Sequence, residues 1–303
     1  MAADARGASD AGARPSLAVA SGGVGAASAD APVATGGDLE PAHVPGGWPA
    51  PLRGARAAFV FFSRLPVGGF PYRASDWHWA PAHLPLVGAV VGAGAAAVFA
   101  LGAGLGLGPL LRAVLALAAS VWLTGALHED GLADSADGLG GGSDRERVLA
   151  IMKDSRIGTY GAAVLSLTLL ARAAALSELP LRAWFAIVAV HAGARVVPVW
   201  LLGALPYVND RTDAKSQGLF RPRALHGAVA LAWSMLFALV GVALGGLPLR
   251  AALAAVLAPL VLVPLVARYF RQRVGGVTGD LLGAAEQLAE VAAWVAITAS
   301  LAA

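Results

Sequence analysis

The chain has 303 residues, 57% hydrophobic and 14% charged, with a formal net charge of +3 and a mean hydropathy of +0.68. A soluble domain carries about 25% charged residues, so a water-soluble globule is excluded and the chain reads as a membrane protein. Cysteine is absent, which excludes disulfides and thiolate chemistry; the basic residues are spread between apolar runs rather than pooled, which argues against nucleic acid as a partner.

Residues 1–48 are rich in Ala, Gly, Ser and Asp, with no aromatic residue before Trp48 and no apolar run long enough for a signal-peptide core. This composition cannot bury a core and predicts a disordered tail ahead of an integral membrane domain over residues 49–303. Pro51 to Phe70 carries Arg53, Arg56 and Arg64 and is expected to form an interfacial helix, followed by Trp77 and Trp79 as interfacial anchors. A spanning helix needs about 20 mostly apolar residues. Seven segments qualify: Leu84–Leu107, Pro109–Leu127, Ile157–Leu176, Leu181–Leu205, Leu225–Leu247, Leu249–Val266 and Leu281–Leu301. The fold class expected is all-α, a polytopic transmembrane bundle plus an N-terminal interfacial helix. Ala, Gly and Leu dominate, and small residues let helices approach closely in lipid.

If residues 50–80 are cytoplasmic and the segments alternate, the inside holds Arg53, Arg56, Arg64, Arg73, Arg145, Arg147, Lys153, Arg156, Arg211, Lys215, Arg221, Arg223, Arg268, Arg271 and Arg273. The outside holds only Arg112, Arg182 and Arg250, so the bias is 15 against 3. This topology brings the polar loops 128–156, 206–224 and 267–280 to one face, with the C-terminus on the other. The localisation expected is the cell inner membrane, multi-pass, with the site loops and the N-terminus cytoplasmic.

The first of those loops opens on Glu129-Asp130-Gly131-Leu132-Ala133-Asp134-Ser135-Ala136-Asp137-Gly138. Asp130, Asp134 and Asp137 are spaced i, i+4, i+7, which places three carboxylates on one helix face. They are expected to extend the end of the preceding hydrophobic helix, beside Thr124 and His128. Like charges so placed are costly unless a cation sits among them. Hard oxygen donors favour Mg²⁺, Mn²⁺ or Ca²⁺, and Mg²⁺ commonly bridges to substrate phosphates, so a phosphorylated substrate follows. Only 19 acidic residues exist in the chain, and four fall at positions 129–137 beside a membrane boundary. Ionisable clusters in such a setting are functional by default. Ser143 or Asp144 can cap the next helix, and Lys153 and Arg156 lie one turn apart, suited to phosphate oxygens, with Asp154 placed to complete a metal shell.

Other ionisable residues fall inside the segments. Glu286 and Glu290 are one turn apart and must face the bundle interior or water. His191 and Arg195 form a second pair, and Arg195 is expected either to neutralise an acid such as Glu290 or to hold substrate phosphate. Asp280, after Thr278-Gly279, reads as an N-cap or as a site residue.

The run Thr124 to Gly138, followed by Met152-Lys153-Asp154-Ser155-Arg156-Ile157-Gly158-Thr159-Tyr160-Gly161, closely resembles the cobalamin synthase family, the adenosylcobinamide-GDP ribazoletransferases. The likeness extends to Phe61-Phe62-Ser63-Arg64-Leu65-Pro66, to Pro85-Leu86-Val87-Gly88 and to the stretch from Gly275 to Ala284, with Glu290 beyond, over roughly residues 52–300. It implies a magnesium-dependent membrane enzyme that joins adenosylcobinamide-GDP to α-ribazole or α-ribazole 5′-phosphate and releases GMP. On that implication Glu129, Asp130, Asp134, Asp137 and Asp154 hold the metal. Asp137, Asp134 and Lys153 carry the chemistry, with Asp137 first choice as base, and Arg64, Arg156, Arg195, Asp280 and Glu290 contact substrate. Association into homo-oligomers or with other enzymes of nucleotide-loop assembly belongs to the same expectation.

The acidic core is also similar to the CDP-alcohol phosphotransferase signature, which has Arg where this chain has Asp134. A phospholipid-forming enzyme is therefore one rival. A cation or metabolite transporter is the other, although transporters are expected to place ionisable groups near mid-bilayer in matched halves.

Overall fold

The structure is a computed structural model that describes residues 47–68, 74–208 and 222–302. The expected tail up to residue 46, residues 69–73 of the segment around Phe70, and residues 209–221 of the loop 206–224 lie outside the described residues. Among the described residues there is no β-strand, and the fold is all-α.

Helix α1 (Ala50–Phe62) carries Pro51 in its first turn and stops at Phe62, eight residues short of the expected end, with Ser63 in extended backbone. Two 3₁₀ turns, Ala74–His78 and Ala80–His83, lead into α2 (Leu84–Gly104). The helices α3 (Pro109–Thr124), α4 (Leu127–Gly141), α5 (Arg145–Met152), α6 (Thr159–Ser177), α7 (Phe185–Ala194) and α8 (Val196–Ala204) follow. The chain closes with α9 (Ala224–Ala243), α10 (Leu249–Val274) and α11 (Gly279–Ala302).

Among the described residues six stretches are long and apolar enough to cross a membrane, α7 and α8 counting as one over Leu181–Ala204; α3 with α4 makes a seventh, bent by 90°. Six of the seven expected segments are therefore present as spans, and the expected Pro109–Leu127 corresponds to α3, which reaches spanning length only together with the bent α4. The acidic stretch, however, does not extend the hydrophobic helix. Gly125 and Ala126 both take left-handed backbone, φ 70° and 61°, and α4 leaves α3 at a right angle. Glycine tolerates that region freely, whereas alanine enters it at a steric cost. The amide of Arg64 donates to the Leu123 carbonyl at 2.8 Å and pins the corner. We read α3 as the membrane-crossing part and α4 as lying across the bundle end.

All ten residues of α7 are buried, which makes it the central pillar. Glycines allow the approach: a Cβ on Gly88 would stand 2.1 Å from the His191 carbonyl oxygen, and one on Gly193 would stand 2.2 Å from that of Ala255. In lipid such backbone proximity, rather than apolar burial, drives helix association. One apolar core joins Phe99, Phe185, Ile187, Trp294 and Ile297; a second lies under the polar end, from Val148 and Met152 to Leu205, Phe270, Val277 and Leu281. Outward-facing Leu101, Leu167, Leu170, Leu239, Leu257, Val261 and Leu265 form the lipid surface.

The described parts of the three polar loops do meet. The Val208 amide donates to the Val277 carbonyl at 2.7 Å, and the Val277 amide to Pro206 at 2.9 Å. Arg273 donates to the carbonyls of Leu139 and Gly142 at 2.9 and 2.8 Å, satisfying the C-terminal end of α4.

Candidate active site

Helix α4 is amphipathic in charge rather than in hydrophobicity. One face carries Asp130, exposed, and Asp134, half-buried. The other packs on α11, where Gly131 and Gly283 let the two backbones touch. A Cβ on Gly131 would stand 2.9 Å from Asp280 Cα, and one on Gly283 would stand 3.3 Å from His128 Cα. That contact brings Asp280, in the first turn of α11, to the acidic face. Burial first, then the charges of Asp130, Asp280 and Asp137, push the Asp134 carboxyl up to about 7. Four carboxylates thus act on one another at the polar end of the bundle, and none of the described hydrogen bonds and ion pairs sets a cation of the protein against Asp130 or Asp134. Tyr207 reaches the same place: burial first and Asp280 second raise its phenol above the ordinary value. No sequence signal singled it out.

Asp137 is held differently. Its Oδ2 accepts the Gly158 amide at 2.6 Å and its Oδ1 accepts the Gly161 amide at 2.8 Å, so it caps the N-terminus of α6 from 21 and 24 residues away. A Cβ at Gly158 or Gly161 would stand 2.4 or 2.3 Å from a carboxylate oxygen, which explains both glycines. A carboxylate in this position is favoured by the helix dipole and by charge-assisted hydrogen bonds.

The segment after α5 is open to solvent. Asp144 caps α5, accepting the Arg147 amide at 2.9 Å. Lys153 is the exposed C-cap of α5. Asp154 is engaged by Arg156 through Nε at 3.0 Å and Nη2 at 2.7 Å, and that guanidinium lowers its carboxyl to about 2. Asp154 is therefore turned to Arg156 here. Arg64 is exposed over the α3–α4 corner, its Nε 3.0 Å from where a Gly125 Cβ would stand.

The remaining expected site residues are brought to a second place, inside the bundle. Arg172 of α6 pairs with Glu290 and donates to Gln287 Oε1 at 2.5 Å. Gln287 donates to Glu286 at 3.0 Å, Glu286 pairs with Arg195 at 2.9 Å, and Arg195 reaches Glu290 at 3.4 Å, closing a ring of five side chains. His191 lies 2.6 Å from Glu290, and His128 lies 4.0 Å from Glu286. Glu129 joins the ring through Arg172 at 3.3 Å. Arg195 and Glu290 are 2% and 1% exposed, so the ion pair weighed in the sequence is present, and both lie away from solvent. Glu129 likewise faces this ring rather than the aspartates.

Chemically, the acidic face offers only oxygen donors, a set that suits Mg²⁺ or Mn²⁺. Its unrelieved repulsion fits a bound cation. Among the described residues, no three acidic or histidine side chains are already drawn together as a finished coordination shell. An ion here would take Asp130, Asp134 and Asp280 as ligands, with water or substrate oxygens completing its shell, the usual habit of magnesium.

The family model described as cobalamin-5-phosphate synthase matches residues 54–298. Curated proteins called adenosylcobinamide-GDP ribazoletransferase are similar over most of their length. That of Leptothrix cholodnii is 46% identical over 245 residues, covering 78% of this chain and 92% of the relative. That of Mesorhizobium japonicum is 44% identical over 242 residues, covering 77% and 88%. That of Polaromonas naphthalenivorans is 40% identical over 276 residues, covering 80% and 96%. No solved structure matches the chain. The chain belongs to the cobalamin-5-phosphate synthase family.

Proposed function

We propose that this chain is an adenosylcobinamide-GDP ribazoletransferase that performs the last step of nucleotide-loop assembly at the cytoplasmic face of the cell inner membrane. The observation that carries the reading is the meeting of Asp130, Asp134 and Asp137 on α4 with Asp280 on α11. It is an acidic surface at the polar end of a membrane bundle, in a chain of this family. The positive-inside bias supports the cytoplasmic assignment.

In the reaction a free ribose hydroxyl of α-ribazole, or of its 5′-phosphate, attacks the phosphorus that carries the cobinamide. A new P–O bond forms, the bridging P–O bond to GMP breaks, and GMP leaves with the charge of that bond. Bound Mg²⁺ would supply charge neutralisation on the diphosphate. The chain's own contribution is positioning and proton transfer. Both oxygens of Asp137 already accept backbone amides, so Asp137 serves by fixing the start of α6 against α4. The hydroxyl proton is assigned to Asp134, which is half open and accepts no hydrogen bond among the described residues. Lys153 and Arg64 are exposed at this end and suit the phosphates of GDP-cobinamide.

The test is direct. Purified protein in detergent is incubated with Mg²⁺, adenosylcobinamide-GDP and α-ribazole, and the products are read by mass spectrometry. Equal amounts of GMP and cobalamin are expected, with both lost on chelation. GMP without cobalamin, or turnover of a CDP-activated lipid in preference, overturns the reading.

A further inference from the structure

The buried ring raises a question of charge. Glu286, Glu290, Arg172 and Arg195 balance as two carboxylates and two guanidiniums, and Gln287 closes the circuit as a neutral donor and acceptor. Glu129 adds a third carboxylate to that balance. Its carboxylate is buried, its Oε1 takes a 3.3 Å contact from Arg172, and its Oε2 has no partner. A third buried acid with one oxygen unsatisfied costs stability, so neutrality of the ring does not explain it.

Position does. His128 and Glu129 are consecutive in the first turn of α4, and they reach different members of the ring: His128 towards Glu286 and Glu129 to Arg172. The next residue is Asp130, on the acidic face. Arg172 simultaneously holds Gln287 and Glu290 of α11, the helix that carries Asp280 in its first turn. The same guanidinium therefore holds both helices that present the carboxylates. The Asp137 cap ties α4 to α6 at the far end. Between these ties, α4 has neither a side-chain cap nor ordinary backbone at its start, since Ala126 is left-handed.

We propose that Glu129 is a positioning residue: through Arg172 it fixes the rotation and depth of α4 against α11, and so sets the approach of Asp130 and Asp134 to Asp280 for a divalent cation. The inference rests on the proposed metal-dependent function and assigns Glu129 to the ring instead of to the metal.

Two substitutions separate the roles. Glu129→Leu removes the anchor and the buried charge together; Glu129→Gln removes the charge but keeps an oxygen that can accept from Arg172. Mn²⁺ binding to the purified protein is read by electron paramagnetic resonance, and unfolding by tryptophan fluorescence. Partners that orient metal ligands typically change affinity by about 10–100-fold. Glu129→Leu is therefore expected to weaken Mn²⁺ binding by about 10-fold or more, with thermal stability unchanged or raised. Glu129→Gln should stay close to the original protein in Mn²⁺ affinity.

If Glu129→Leu binds Mn²⁺ as the original protein does, the positioning role is wrong. If Glu129→Gln loses as much affinity as Glu129→Leu, Glu129 acts through its charge and the assignment to the ring is overturned. If the affinity falls only in step with a fall in unfolding temperature, the role is merely structural. Absence of Mn²⁺ binding in the unsubstituted protein would instead overturn the metal-dependent reading itself.

Discussion

Glu129 and Asp130 are neighbours in the chain and belong to opposite kinds of electrostatics. Glu129 enters a buried ring in which acids and guanidiniums neutralise one another. Asp130 joins a face of four carboxylates where none of the described ion pairs supplies a counter-charge. The ring is closed by side chains from α6, α7 and α11 and their junctions, and is nearly inaccessible. The acidic face is reachable from the polar end. The difference teaches how one helix can carry structure and chemistry together: charges matched inside hold the bundle, whereas charges left unmatched at the rim wait for a ligand.

The comparison breaks most severely at Arg172. Arg172→Gln removes the buried guanidinium that Glu129 and Glu290 share. Removing one member of a buried pair costs about 3–5 kcal/mol. The expected outcome is a large drop in folded protein and in unfolding temperature, measured by fluorescence. A variant as stable as the original would show that the ring does not hold the bundle.

The opposite result is expected at the rim. Asp134→Asn relieves repulsion, so the protein should be as stable as before or more so, while product formation falls by about 100-fold or more, in line with loss of a positioned acid–base group. Asp137→Asn sharpens the contrast further. Its carboxylate caps α6, and an amide keeps one acceptor oxygen but loses the second. It should therefore lower stability by about 1 kcal/mol, the usual worth of a cap. If instead Asp134→Asn destabilises the protein and Asp137→Asn does not, the two roles are exchanged.

Much of this was legible in the residues. Apolar length gave the seven segments, and the i, i+4, i+7 spacing gave the acidic face. The pairs His191/Arg195 and Glu286/Glu290 announced buried charges. The same spacing placed Glu129 off the aspartate face, and its proximity in sequence obscured this. The corner before α4 was not legible, because a left-handed alanine at 126 has no compositional mark. Nor were the partners of Arg172, which lie 43 and 115 residues away for Glu129 and Gln287; an arginine within an apolar span signals that a partner exists without saying which. Asp137 read as a base because its destination, the amides of Gly158 and Gly161, is a tertiary contact.

The smallest effect is a dependence of stability on pH, and it tests the rim alone. Burial and the neighbouring aspartates raise Asp134 to about 7 in the folded chain, above its ordinary carboxylate value of 3.8. The folded state therefore holds a proton that the unfolded state has already released. Below the ordinary value both states are protonated, and the folded protein avoids the repulsion. As pH rises from about 4 to about 7, stability falls, because the unfolded state binds fewer protons. Partial exposure screens the effect, so a shallow slope is expected. Magnesium should flatten it by taking the proton's place among the carboxylates, and Asp134→Asn should flatten it without magnesium. The buried ring, which lies away from solvent, should contribute the same in both conditions. Unfolding temperatures measured from pH 4 to 8, with chelator and with Mg²⁺, check this: a slope that survives both the metal and the substitution would place its origin elsewhere in the molecule.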